Sequence, residues 1–352
     1  MRRTIAAVLV ILSAPTCTRS SVPSPASDAQ ASPRATGVPS IATQPCPAPY
    51  GEPGATVERS VRVGGVVRTY WLHLPAGYDC TRGALVVGLH GYWGNGREFE
   101  RDATPLSASI DDLGWIGLFP NGLAMSDEGW RSRVTSFNDI DSHRSFGPDG
   151  RTCTRDAYDY GDYQDAPRSA DAQPCHWGTS YADDEGFIRA IVAKTQADFA
   201  VDPSRVFLIG FSQGAQTVQS LGWRMADVFT AISPHHGFSA NGYARAPTTP
   251  MSLFQVWGTA DHVVDGGGRP SADGYIYDSA AETVETWARA QGCRPQAVPY
   301  VTPQDGRRGW RAVEYPDCST WARVVSASWN GRHHWPALET LAMLAFLQDI
   351  TG

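Results

Sequence analysis

Short apolar runs recur along the chain between polar stretches rich in Gly and Pro. Residues 59–63 and 66–75 largely alternate polar and apolar positions on either side of Gly64-Gly65, which predicts an antiparallel hairpin. Residues 84–89, 115–120, 205–209, 229–233, 251–257 and 323–329 are apolar over most of their length. Such runs predict strands covered on both faces. Between them lie helical patterns. Phe187, Ile188, Ile191, Val192 and Phe199 mark one helix face, which Asp202-Pro203 ends. Residues 215–221 read as a second helix, and 337–350 as a final one, apolar on most faces and packed against the sheet. Alternating strands and helices predict an α/β class with a mostly parallel sheet and helices on both faces. No internal repeat is present.

One junction carries chemistry. The run 205–209 leads into Gly210-Phe211-Ser212-Gln213-Gly214, and a helix follows. Strand, G-x-S-x-G, helix is the setting of a nucleophile elbow, a turn so tight that it exposes the serine hydroxyl and leaves no room for side chains at the glycines. A serine needs a base, and the base needs an orienting acid, in the chain order Ser, Asp or Glu, His. Asp261 fits the acid, in a loop just past the 251–257 strand. His333 and His334 follow the 323–329 strand, and at most one of these neighbours can be the base. His235 and His236 precede the acid and break the order, while His262 stands beside it. The Gly-rich loop His90-Gly91-Tyr92-Trp93-Gly94, after the 84–89 strand, suits an oxyanion hole. Its donors would be the N–H groups of Tyr92 and Gln213, with Trp93 as runner-up to Tyr92 and His90 in a structural role.

Length and charge narrow the class. The 352 residues, less a leader and linker, suit one catalytic domain. The 29 cations against 36 acids give a net charge of −7 without a basic block, so no nucleic-acid partner is expected. Residues 1–17 read as a signal peptide with a short apolar core, and 18–45 as a disordered Ser/Pro/Ala linker before a domain at 46–352. Seven cysteines support export. Cys17 has two readings, a lipid-bearing anchor cysteine or a residue lost with the leader. The other six form an even set, and sequence proximity suggests Cys46–Cys80, Cys153–Cys175 and Cys293–Cys318. A secreted monomer is the expectation, with a membrane-anchored lipoprotein as its alternative.

Leu89-His90-Gly91, the 201–206 stretch, the elbow, Asp183-Asp184-Glu185-Gly186-Phe187-Ile188, Gly258-Thr259-Ala260-Asp261 and His333-His334-Trp335-Pro336 together resemble the secreted polyhydroxybutyrate depolymerase and feruloyl esterase group. The resemblance spans about residues 60–350 and implies an α/β-hydrolase fold. It also implies hydrolysis of carboxylic esters through an acyl-enzyme, without cofactor or metal. The group's H-x-W-P histidine falls on His333, and the resemblance carries the Cys293–Cys318 pairing too. Gln213 stands where the group more often has Ala. A Gln there is more typical of carboxylesterases and acyl-thioesterases.

Residues 127–181 hold no long apolar run, several aromatics and one expected disulfide. A loop this long inside a domain is usually functional. Tyr158, Tyr160, Tyr163, Trp177 and Trp130 could wall the acyl site; Asp156, Asp159 and Asp162 do not have EF-hand spacing. The residues expected against substrate are Trp93, Tyr160, Trp177, His235 and Trp335. Readings from other classes are an inactive surface-binding protein, a peptidase or a thioesterase on the same fold.

Overall fold

Gly64 and Gly65 take φ of 55° and 86°, conformations that cost glycine least, and they turn the chain between β1 (Ala55–Val63) and β2 (Val66–Leu74). The computed structural model describes residues 51–104, 106–125, 134–138, 146–158 and 182–351. The chain divides into two units, Met1–Gln44 and Pro45–Gly352, and every described residue lies in the second. The leader, the linker, Cys17, Cys46, Cys175, Trp130, Tyr160, Tyr163 and Trp177 lie outside the described residues.

The remaining strands of the main sheet are β3 (Gly83–Leu89), β4 (Ile116–Pro120), β5 (Val201–Phe211), β6 (Ala231–His235), β7 (Ser252–Gly258), β8 (Val298–Pro299), β9 (Arg311–Tyr315) and β10 (Val324–Trp329). Their spatial order is β1-β2-β4-β3-β5-β6-β7-β10-β9-β8. From β4 through β10 every neighbouring pair is parallel. The hairpin joins one edge antiparallel through β2 and β4, and β9 and β8 close the other edge antiparallel. This is the expected mostly parallel sheet.

Both faces are covered, which is why the central strands are apolar over most of their length. Leu85, Val87, Leu89, Val206, Leu208, Ile232 and Leu253 bury one face against α2 (Asp184–Asp198), α3 (Gln213–Gly222) and α4 (Ala280–Ala290). Val86, Phe207, Ile209, Phe254, Val256 and Val325 bury the other against α1 (Leu106–Asp112) and α5 (Ala337–Gln348). Full burial of each such side chain contributes about 1.5–3 kcal/mol, so this core holds the sheet's edge rigid where the loops emerge. The Asp183 side chain caps α2 by accepting from Gly186 N, and Asp184 pairs with Arg68 in the core at 2.5 Å.

Cys293 and Cys318 are disulfide-bonded. Cys80 and Cys153 are disulfide-bonded as well, and their expected partners lie outside the described residues. Residues 146–158 of the insertion dock on the segment after β7. Cys153 bridges to Tyr275, and Thr154 N donates to Gly274 O at 2.8 Å. Tyr92 packs at the edge of the small apolar cluster formed there by Cys153, Phe238, Val264, Tyr275 and Tyr277.

Candidate active site

Five neighbouring parallel strands end along one edge of the sheet, the usual address of a site in such folds. Each delivers one part. β3 opens into His90-Gly91-Tyr92, β5 into Ser212, β6 into His236, β7 into Asp261 and β10 into His333.

Ser212 takes φ 56° and ψ −122°, a strained conformation for a residue with a Cβ. Close packing around the turn enforces it. A Cβ on Gly210 would lie 2.6 Å from Gly214 O, and one on Gly214 would lie 2.4 Å from both His90 O and Leu89 O. Ser212 N donates to His235 O at 2.9 Å, which ties the elbow to β6. The hydroxyl is thereby presented at the mouth of the sheet.

Ser212 Oγ lies 2.8 Å from His333 Nε2, and His333 Nδ1 lies 2.7 Å from Asp261 Oδ2. The other acid oxygen accepts from the backbone N–H groups of Val263 and Val264 at 2.9 and 3.1 Å. Burial would raise the Asp261 carboxyl, but the hydrogen bonds from His236 and His333 outweigh it and hold the carboxyl well below the usual carboxylate range. His334 points elsewhere: it is exposed, its Nδ1 lies 3.3 Å from Arg332 O, and its ring meets Trp329 edge-on. Phe211 packs beside the His333 ring at 5.0 Å between centroids.

In the loop after β3, His90 is buried and its pKa is pushed down to about 4 by burial, so its ring is neutral. Nδ1 donates to Gly91 O at 2.7 Å, and Nε2 accepts from Gly122 N at 3.0 Å. The ring therefore braces the loop. The Trp93 N–H donates to Thr135 O at 3.2 Å, which commits it away from an oxyanion. Gln213 is the first residue of α3, where N–H groups lack an intrahelical acceptor. Its side chain is buried and clamps the insertion's root. The Gln213 amide oxygen accepts from Phe137 N at 3.2 Å, and its amide nitrogen donates to Phe137 O and Thr217 Oγ1. That clamp gives a physical reason for Gln at this position.

Two expected substrate contacts are corrected. His235 is fully buried, with Nδ1 at 2.7 Å from Glu339 and Nε2 at 2.9 Å from Ser233 Oγ. Trp335 is 6% exposed, stacks on the His235 ring at 3.6 Å and donates to Thr340 Oγ1. Side chains sealed this way behind the elbow cannot line an acyl pocket. Trp93 is 53% exposed beside Tyr92, and Tyr160 and Trp177 fall outside the described residues.

Sequence reasoning missed His236 and Glu339. His236 lies 2.9 Å from Asp261 through Nδ1 and 2.8 Å from Glu339 through Nε2. Glu339 is the one charged residue of α5, and a lone acid on an apolar helix was the available signal. His236, Asp261 and His333 also bring ligand-type atoms within 4.8 Å of one another, the spacing of a metal cluster. Their hydrogen bonds to each other, to Ser212 and to Glu339 account for that closeness.

No protein-family model matches the chain. It is 27% identical over 335 residues to NocK of Nocardia uniformis subsp. tsuyamanensis, a candidate esterase, covering 85% of each chain. It is 27% identical over 169 residues to a candidate feruloyl esterase C of Aspergillus niger, spanning 48% of this chain and 57% of that one. Against feruloyl esterase B of Piromyces equi it is 27% identical over 161 residues, covering 44% of this chain and 29% of the relative. An acetyl xylan esterase structure from Aspergillus awamori superposes with a TM-score of 0.50 at 13% identity, covering 80% of this chain and 95% of that one. The chain has the α/β-hydrolase fold, and it is similar to esterases, feruloyl esterases among them, in line with the group that its motifs resemble.

Proposed function

We propose that this chain is a secreted serine esterase. Ser212 attacks the ester carbonyl and His333 takes its proton. Asp261 orients the imidazole and offsets the imidazolium charge, and His333 then returns the proton to the leaving alcohol. The N–H groups of Tyr92 and Gln213 receive the developing oxyanion. Water, activated by the same histidine, releases the acid and frees the serine. The observation that carries this reading is the continuous hydrogen-bonded line from Ser212 Oγ through His333 to Asp261.

The named relatives support carboxylic ester hydrolysis, and the feruloyl esterases among them support feruloyl esters as one substrate class. Feruloyl or acetyl esters of plant polysaccharide and hydroxyalkanoate polyesters are the substrate classes proposed. The disulfides support an oxidising compartment. Among the described residues, no helix is long and apolar enough to cross a membrane.

The test is hydrolysis of p-nitrophenyl acetate and butyrate, followed by methyl ferulate, acetylated xylan and polyester films. Turnover of the small esters with release from at least one natural class is expected. An inert protein that nonetheless binds these polymers would favour the surface-binding reading, and turnover confined to acyl-thioesters would favour a thioesterase.

A further inference from the structure

Behind the proposed triad lies a second, fully buried layer of charge. Asp261 Oδ2 faces His236 Nδ1 at 2.9 Å, and His236 Nε2 faces Glu339 Oε1 at 2.8 Å. Neither the His236 nor the Glu339 side chain has any exposed surface. One assignment of protons and charges satisfies these contacts. Glu339 also accepts from Trp329 Nε1 and lies 2.7 Å from His235 Nδ1, and as a carboxylate it accepts from both and from His236 Nε2. Asp261 likewise receives four donors. With carboxylates on both sides, both His236 nitrogens must donate, and the ring is an imidazolium. Burial opposes that charge, but the Glu339 carboxylate and the hydrogen bonds from both acids prevail, and the His236 pKa is raised to about 9. Glu339, despite burial, is held below its ordinary value by the His236 charge. Its place in the first turn of α5, near the positive end of the helix dipole, works in the same direction.

The geometry points to His236 and Glu339 as positioning residues for the proposed reaction: a charged strut that holds Asp261 in place and sets the charge His333 meets. The inference rests on the triad reading. In the resting state the buried layer holds two carboxylates and one cation, a net charge of −1. When His333 takes the serine proton, the layer gains a second cation and becomes neutral. That net negative charge favours the state in which His333 is protonated, while the His236 cation tempers the preference and keeps the two neighbouring carboxylates from repelling one another.

The groups facing His236 are Asp261 from the loop after β7, Glu339 from α5, His333 from the loop after β10 with ring centroids 5.8 Å apart, and its neighbour His235. Those facing His333 are Asp261, His236 and Ser212, while Arg332 and His334 on its own loop are exposed. Replacing His236 by Asn keeps a donor toward Asp261 and removes the cation. The negative charge facing His333 is then no longer offset, so the base loses its proton at higher pH.

The experiment has two independent readouts. The first is nitrogen-15 NMR of the histidine rings in the full chain at pH 7.5. Wild type should show His236 with both ring N–H groups, and Glu339→Gln should show one. The second is kinetics on p-nitrophenyl acetate, counted per serine labelled by a fluorophosphonate so that unfolded molecules drop out. His236→Asn should lower kcat by about 10–100-fold with KM within about twofold, and move the acid limb of kcat/KM up by about one pH unit. Glu339→Gln should lower kcat with KM kept, and it carries the kinetic test if His236→Asn does not fold. A singly protonated His236 in wild type, or wild-type kcat and acid limb in the labelled fraction of both variants, would overturn the strut. Absence of any ester turnover in wild type, with the doubly protonated His236 resonances in place, would count against the esterase reading alone.

Discussion

At the scale of single residues, adjacent histidines of the same type have opposite surroundings. His333 is 16% exposed and bridges Ser212 and Asp261, while His334 is exposed and its Nδ1 lies 3.3 Å from Arg332 O on its own loop. Ser212→Ala should therefore lower turnover by on the order of 10⁴-fold or more. His333→Ala should match it, and His334→Ala should keep most activity. Steady-state kinetics on p-nitrophenyl butyrate checks all three, and full activity in His333→Ala would remove it as the base. Ser212, Asp261 and His333 were legible because each follows its own strand in the required order. His235, His236 and Trp335 were not. Their places depend on Glu339, which is 103 residues from His236 in sequence and joins the site only through packing of α5 on the sheet. No local pattern encodes a contact of that span.

At the scale of elements, apolar runs located six parallel strands and alternation located both strands of the hairpin, but their limits shifted. β5 begins at Val201, before Pro203, because a register shift against β3 between Gly83 and Leu85 accommodates the extra residues. β8 and β9 were unreadable: Val298–Pro299 is too short for a periodic signal, and Arg311–Tyr315 mixes Arg and Glu with Ala, Val and Tyr one strand in from the sheet's edge. The Gln213 clamp also belongs to this scale, since it joins the start of α3 to the root of the insertion. Gln213→Ala would leave the buried Phe137 N–H and C=O without those partners, at a cost of about 1–3 kcal/mol. Urea unfolding should show a lower midpoint with an unchanged slope. A wild-type midpoint would mean that the clamp adds nothing to stability.

Stability also carries the strut's signature. The folded His236 pKa of about 9 lies above its unfolded value near 6.5, so its contribution is complete below about pH 6.5 and is lost as pH rises through 9. Asp261, held below its ordinary value, contributes above about pH 4 and is lost on acidification. Wild type should thus lose on the order of 1–3 kcal/mol between pH 6.5 and 9 in urea titrations, and His236→Asn should lose less. Parallel slopes in the two proteins would contradict a charged His236.

At the scale of the whole molecule, the sheet, its covered faces and the edge that carries the site followed from the sequence, whereas the wall of the site did not. The 127–181 segment has no hydrophobic period from which to read its path. Its docking on Tyr275 and Gly274, packed beside Tyr92, brings part of it to the neighbourhood of the oxyanion loop. Tyr160→Ala or Trp177→Ala should weaken use of methyl ferulate or polyester while sparing p-nitrophenyl acetate. Equal losses on both would indicate a folding role instead. Reducing the disulfides of the folded protein should lower its stability, at about 2–4 kcal/mol per bridge. Unchanged unfolding in reductant would remove them as a source of stability.

The central claim is that one strained serine, activated by His333, does the chemistry. It is tested most directly by treating the protein with a fluorophosphonate and mapping the adduct by mass spectrometry against residual p-nitrophenyl acetate turnover. The account predicts one adduct per chain, on Ser212, with activity lost in proportion to labelling and no adduct in His333→Ala on the same timescale. Turnover that persists in fully labelled protein, or an adduct on a different residue, would contradict it.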